Sequence, residues 1–193
     1  MTHNRTLWTC AGLLVAACAG VALGATFSQE PQDAAVAMVK PGPEHEFLKM
    51  DSGSWNATIK IWTAPGEPPM EMMGKETNKL ECNGMWMMTS FDTPDGSFSG
   101  RGMSGWDAQK KQYVSVWVDS ESTYMSTSTG TFDKSKRAFS FTGEQMDKAT
   151  GKMIKNRTTT EYPDANTRKF TVWSTPAAGK EVKGMEITYT RSK

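Results

Sequence analysis

The chain is short of cysteine, of histidine and of surplus charge. Its three cysteines are Cys10, Cys18 and Cys82, and the first two lie in an apolar N-terminal stretch. The body is left with Cys82 alone, which excludes an internal disulfide. With His45 as the body's one histidine, the ligands for a zinc site are also missing. Cys82 reads as an inert small residue beside a turn rather than a nucleophile. Lysine and arginine total 22 against 21 acids, a formal charge of +1. So small an imbalance gives no electrostatic reason to expect nucleic acid or an anionic membrane surface as partner. Leucine is scarce beyond the N-terminus, and 14 Met, 7 Trp and 8 Phe stand in its place. Such side chains pack cores and also line adaptable apolar surfaces.

Catalytic patterns are missing too. No G-x-S-x-G elbow occurs, and the serines and threonines between Ser120 and Thr131 reflect strand propensity and a solvated face. Asp119, Glu121, Glu144 and Glu161 lie mostly near strand ends, where exposure is the default. Gly100-x-Gly102-x-x-Gly105 fits a dinucleotide fingerprint by letters, yet it lacks the strand-to-helix context that gives the fingerprint its chemistry. No metal or cofactor site is expected.

Residues 1–25 read as a signal segment: a polar start with Arg5, an apolar run from Leu7 to Ala19, then small residues. Three routes compete. Ala22-Leu23-Gly24 offers small residues for cleavage before Ala25, the preferred route. Val15-Ala16-Ala17-Cys18 resembles a lipobox that would place a lipid on Cys18. Retention as an anchor is the third, since Leu7–Phe27 is long enough to span a bilayer. All three carry the body out of the cytoplasm, to the periplasm or beyond, and only lipidation or retention would tie it to a membrane. Residues 26–42, with Pro31, Pro41 and Gly42, form a spacer expected to be mobile.

The domain proper is expected over 43–193. Pro43 to Met50 reads as one or two helical turns, with proline first and Phe47, Leu48 and Met50 on an apolar side. From Gly53 onward the period falls to two. Trp55, Ala57, Ile59 and Ile61 alternate with Asn56, Thr58 and Lys60. Turn sequences then recur at short intervals: Ala64-Pro65-Gly66, Asn83-Gly84, Thr93-Pro94-Asp95-Gly96, Asp107–Lys110, Asp133–Lys136, Asp147–Gly151, Pro163–Asn166 and Ala177–Gly179. Asn83-Gly84 is the signature of a two-residue hairpin. Glycines at 100, 102 and 105 predict bending or close backbone approach.

Ten strands result, with no room between them for a crossover helix, so pairing is antiparallel throughout. The expected fold is all-β: an up-and-down, calycin-like barrel with a short N-terminal helix. A split sandwich is the alternative. The barrel is preferred because so long a meander curls under its own twist and closes its edges.

Gly53-Ser54-Trp55, after a short helix and at the start of the first strand, resembles the G-x-W signature of lipocalins and their calycin relatives. That resemblance implies a tryptophan closing one end of a cavity, with a basic residue of the last strand packed across it. Arg191 stands at the matching place. A broader resemblance rests on Pro41–His45, Gly100–Asp107, Tyr113–Asp119, Thr129–Asp133, Asp147–Lys152 and Met185–Thr190. On these segments the chain resembles a bacterial family known as domain of unknown function 1579. Gly84-Met85-Trp86 departs from the basic residue expected near the third strand's start. The resemblance implies a calycin-like barrel and brings no catalytic residues. The related nitrobindin-type barrels hold haem through a late histidine, and here no histidine follows His45.

A barrel of this strand count encloses more room than side chains need. Its expected ligand-binding set is Trp55, Ile59, Trp117, Phe139, Phe141, Phe170, Met185, Tyr189 and Arg191, with His45 as a polar residue at the mouth. The partner expected is one small apolar or amphipathic ligand, held without catalysis. Two other readings remain open: an envelope interaction module with a filled core, and a hydrolase or isomerase that uses His45.

Overall fold

The computed structural model describes residues 40–64, 66–147, 150–176 and 179–193. The expected signal segment with Cys18, residues 26–39 of the spacer, and Pro65, Lys148, Ala149, Ala177 and Ala178 of the expected turns lie outside the described residues.

A short helix, α1 (His45–Leu48), follows Pro43 and tightens into a 3-10 turn over Lys49–Asp51. Ten strands come next: β1 (Gly53–Ile61), β2 (Met70–Glu81), β3 (Trp86–Asp92), β4 (Ser99–Asp107), β5 (Gln112–Asp119), β6 (Ser126–Asp133), β7 (Ala138–Met146), β8 (Met153–Glu161), β9 (Thr167–Thr175) and β10 (Val182–Arg191). Each pairs antiparallel with its sequence neighbours, and β1 also pairs with β10, from Trp55 opposite Arg191 to Ile61 opposite Met185. The sheet is therefore a closed barrel with no free edge. The split sandwich is excluded.

Several boundaries differ from expectation. The second hairpin is a four-residue turn, Cys82–Met85, because Glu81 pairs with Trp86. Cys82 (φ 51), Asn83 (φ 59) and Gly84 (φ 84) are all left-handed, and Gly84 N–H reaches Glu81 O at 3.0 Å. Asn83-Gly84 supplies two of those left-handed residues, and the chain recruits Cys82 for the third. The ninth strand begins at Thr167 rather than Phe170, which brings Arg168 into the sheet.

Alternation along the strands sorts the side chains. The row Ile61, Met185, Val172, Thr158, Phe141, Gly130 and Tyr113 runs across seven strands on the inner face. All nine residues of the expected ligand-binding set fall on inward positions of this registry.

At the helix end the interior is solid. Leu48, Met87, Tyr113, Phe139 and Tyr162 form one buried cluster, with Phe47, Met50 and Trp106 against it. The Phe47 and Phe132 rings stack at 4.2 Å, and Tyr113 Oη donates to Glu44 O at 2.8 Å. A second cluster, Trp55, Ala57, Ile59, Phe91, Ile187 and Tyr189, covers the β10–β1–β2–β3 wall. There Phe91 lies flat across Gly74, where a Cβ would sit inside its ring. Gly74→Ala should therefore cost about 1–3 kcal/mol by overpacking. Urea unfolding checks this, and an unchanged midpoint would refute the close approach.

Candidate functional site

The glycines of β4 are explained by indoles. Inside the barrel the Trp117 ring lies across Gly100 and Gly102, where side chains would collide with it. Its Nε1 donates to Asp119 Oδ2 at 3.0 Å, which fixes the ring against the wall. On the outer surface Trp86 covers Gly105 in the same way. The triple glycine thus serves two tryptophans and lies within a strand, not at a strand-to-helix turn.

The inner surface divides into two regions. Toward the helix end its side chains are buried: Trp55 at 1%, Ala57 at 0% and Tyr189 at 4% exposure. Toward the other end, along β5 and β7–β10, inward side chains keep accessible surface. Trp117, Phe141, Thr158, Phe170, Val172 and Met185 are all half-buried. Trp117, Phe170 and Met185 pack against the wall cluster and Phe141 against the helix-end cluster, and the area they keep faces inward toward the barrel's open end, the region called the lumen below.

The floor of that lumen holds buried charge. Arg168, 4% exposed, donates from Nη1 to Asp51 Oδ1 at 2.6 Å and from Nη2 to Glu76 Oε1 at 2.5 Å. Asn78 Nδ2 also reaches Glu76 Oε1, at 2.6 Å. The guanidinium carbon lies 3.8 Å from the Tyr189 ring centroid and 5.0 Å from that of Trp55. Burial opposes the charge on Arg168, and the Asp51 and Glu76 carboxylates outweigh that opposition, so its pKa rises above its ordinary value.

Arg191 closes the same end from below. Its guanidinium sits 4.1 Å from the Trp55 centroid, and it donates to the carbonyls of Ser52 (2.7 Å), Met50 (3.3 Å) and Ala165 (3.1 Å). Trp55 is held between two arginines, with its Nε1 bonded to Asp51 O at 2.8 Å. This is the arrangement that the G-x-W resemblance implies.

Tyrosines surround the floor. Burial, aided by Glu76, pushes the Tyr189 hydroxyl well above its ordinary pKa, and burial, aided by Asp51, does the same for Tyr162. Burial lifts Tyr113 to about 12. A folded-state pKa above the unfolded value means that folding favours the protonated phenol. The contribution is therefore complete below about pH 10 and drains away as pH rises past it. With Tyr162 and Tyr189 together, stability should fall by about 2.7 kcal/mol per pH unit above that point. Urea midpoints between neutral and strongly alkaline pH measure this slope, and a flat profile would contradict the burial of both phenols.

His45 sits in the closing helix, 7% exposed, where its Nδ1 accepts the Gly42 N–H at 3.0 Å. It lies at the end opposite the lumen's accessible region. Among the described residues no cluster of three His, Cys, Asp or Glu side chains could hold a metal ion. Cys82 is exposed in its turn.

Of the expected set, Trp117, Phe141, Phe170 and Met185 face inward and keep accessible surface toward the open end. Trp55, Ile59, Phe139 and Tyr189 make the solid wall and floor, and Arg191 plugs it. Sequence reasoning passed over Arg168, Asp51 and Glu76. It also passed over a collar of neutral polar groups near the rim, where Gln145 Nε2 donates to Ser174 Oγ at 2.8 Å and Asn156 Nδ2 to Gln145 Oε1 at 3.3 Å.

Known proteins bear on the family and the fold. A family model described as "Protein of unknown function (DUF1579)" matches residues 40–191. No curated protein matches. Among solved structures, the crystal structure of Rv2717c from M. tuberculosis aligns with a TM-score of 0.59 at 12% identity, covering 79% of this chain and 99% of its own. At that identity the two share a fold. A redesigned β barrel aligns at a TM-score of 0.35 and 9% identity, over 80% of this chain and 100% of its own.

Proposed function

Because the chain belongs to the family described as protein of unknown function (DUF1579), its role has to be read from the barrel, and we propose that it is an exported protein that binds a small apolar or amphipathic ligand without catalysis. The observation that carries this reading is the lumen. Aromatic and thioether side chains there face inward and still keep accessible surface, above a floor closed by the Trp55–Arg168–Arg191 stack. An evolved core that had no guest would bury them, since interiors pack close to crystal density. Trp117, Phe141 and Phe170 offer an apolar bed of the kind small-molecule sites use. Export is supported by the pattern of residues 1–25.

Native mass spectrometry and tryptophan fluorescence with a panel of alkyl and aromatic amphiphiles test the reading. Saturable one-to-one binding is expected, with a fluorescence response that Trp117→Phe removes. No binding across the panel would overturn it.

The His45 reading loses its geometry, since His45 is engaged with Gly42 in the closing plug. The interaction-module reading draws on the outer wall, where Met88 and Met103 face each other across β3 and β4 at 39% and 36% exposure.

A further inference from the structure

We infer that the ligand is an electrically neutral amphiphile, lying with its apolar body among Phe141, Phe170 and Trp117 and its hydrogen-bonding head in the collar of Gln145, Asn156 and Ser174. This rests on the lumen binding a ligand at all. It goes further by assigning the ligand's charge and orientation.

Three observations carry it. First, between the floor and Asp119 the inward positions of the described strands hold no charged side chain. The inward residues of β6 are Ser126, Ser128, Gly130 and Phe132, and those of β8 are Ile154, Asn156, Thr158 and Thr160. An ion placed there would give up water without a counter-charge, which costs far more than any single contact returns.

Second, the cations of the floor are spoken for. Arg168 is shared by two carboxylates, and Arg191 is bound by three carbonyls beneath Trp55. One guanidinium against Asp51 and Glu76 leaves no positive field to draw a carboxylate or phosphate down the barrel. Asp119, the inward acid at the rim, accepts from Trp117 Nε1 and adds repulsion for an anion.

Third, the collar is polar and neutral. Its amides and hydroxyls are half-buried and bonded to one another, Gln145 to Ser174 and Asn156 to Gln145. Ser128 flanks the same patch, its Cβ close to where a Gly143 side chain would begin. Such groups pair with hydroxyl, ester, ether or amide functions, each of which both fits and satisfies them. Phe141 and Phe170 lie deeper along their strands than the collar does, so the apolar part enters first.

A matched trio on the full chain tests the inference: 1-decanol, decanoate and decylammonium, which share one alkyl body and differ in head charge. Titration at neutral pH and moderate salt should find 1-decanol bound about tenfold or more tighter than either ion. Ser128→Lys, which places a cation beside the collar, should reverse the order in favour of decanoate. Equal or tighter binding of either ion to the unaltered protein overturns neutrality and leaves the binding site standing. Failure of all three to bind overturns the binding reading on which the inference rests. If Ser128→Lys binds the trio in the unaltered order, the head does not sit in the collar, and the proposed orientation falls.

Discussion

Replacing Arg168 with methionine should cost the barrel about 3–5 kcal/mol, the loss expected when one member of a buried ion cluster is removed. Methionine keeps most of the volume and the contact with Tyr189, so little of this is packing. The cost comes from Asp51 and Glu76, which would be left in the interior facing each other's charge with no guanidinium between them. Glu76 is 6% exposed, so water can replace little of what the guanidinium supplies. Among the described residues the ion pair of Asp51 is with Arg168, which joins the turn after α1 to the barrel, so the helix end should loosen as well. Urea unfolding of Arg168→Met measures the loss. The triple variant Arg168→Met, Asp51→Asn, Glu76→Gln should recover a large part of it, because neutral amides no longer need the cation. A single-variant loss below about 1 kcal/mol would mean that the cluster is solvated.

Trp55→Ala should be comparably severe, again about 3–5 kcal/mol, the range for truncating a buried large aromatic. Trp55 is the largest fully buried side chain among the described residues. Its removal opens a cavity between two guanidinium groups, at 4.1 and 5.0 Å, that lean on its faces. It also strands the carbonyl of Asp51, which accepts from the indole at 2.8 Å. Trp55→Phe restores an aromatic face without that donor and should recover more than half of the loss. If alanine proves nearly neutral in thermal and urea unfolding, the floor is not the solid plug described.

These two residues also mark where the sequence is readable and where it is not. Turn chemistry and the period-two pattern were enough to find ten strands, their antiparallel order and the inward phase of β1, β5, β7, β9 and β10. Each of those strands carries large aromatic, aliphatic or thioether side chains at alternating inward positions. β2 resists such a reading. Its inward residues are Met70, Met72, Gly74, Glu76, Asn78 and Leu80, and its outward residues set Met73 and Thr77 among four charged side chains. When both phases mix methionine with polar residues, alternation says little about whether a polar member of either phase will be buried by a closed wall. Nothing in the local pattern therefore sets Glu76 apart from a solvated acid. Arg168 was hidden for a related reason: its strand announces itself at Phe170, and the turn Pro163–Asn166 sits two residues before it. Nothing local reveals that a cation in β9 meets acids 92 and 117 positions earlier in the chain.

The collar was illegible in another way. Gln145, Asn156 and Ser174 belong to three strands, and each taken alone suits a wet surface. Only closure of the sheet brings them onto one inner rim. Arg191, by contrast, was placed correctly through the G-x-W resemblance, which carries long-range information that periodicity does not. The glycines of β4 fall between these cases. Their spacing predicted close approach, and the partners that approach, Trp117 and Trp86, emerged from the registry.

Solvent reaching the inside of the wall is the condition on which ligand, orientation and collar all depend. Thiol labelling at two inward positions tests it, with Cys82 replaced by serine and each site's rate read by peptide mass mapping. Thr158→Cys, half-buried on β8, should react readily with a small maleimide, while Ala57→Cys, 0% exposed on β1, should stay silent in the folded protein. If the cysteine at 158 is as unreactive as the one at 57, the barrel is filled from end to end and holds no guest.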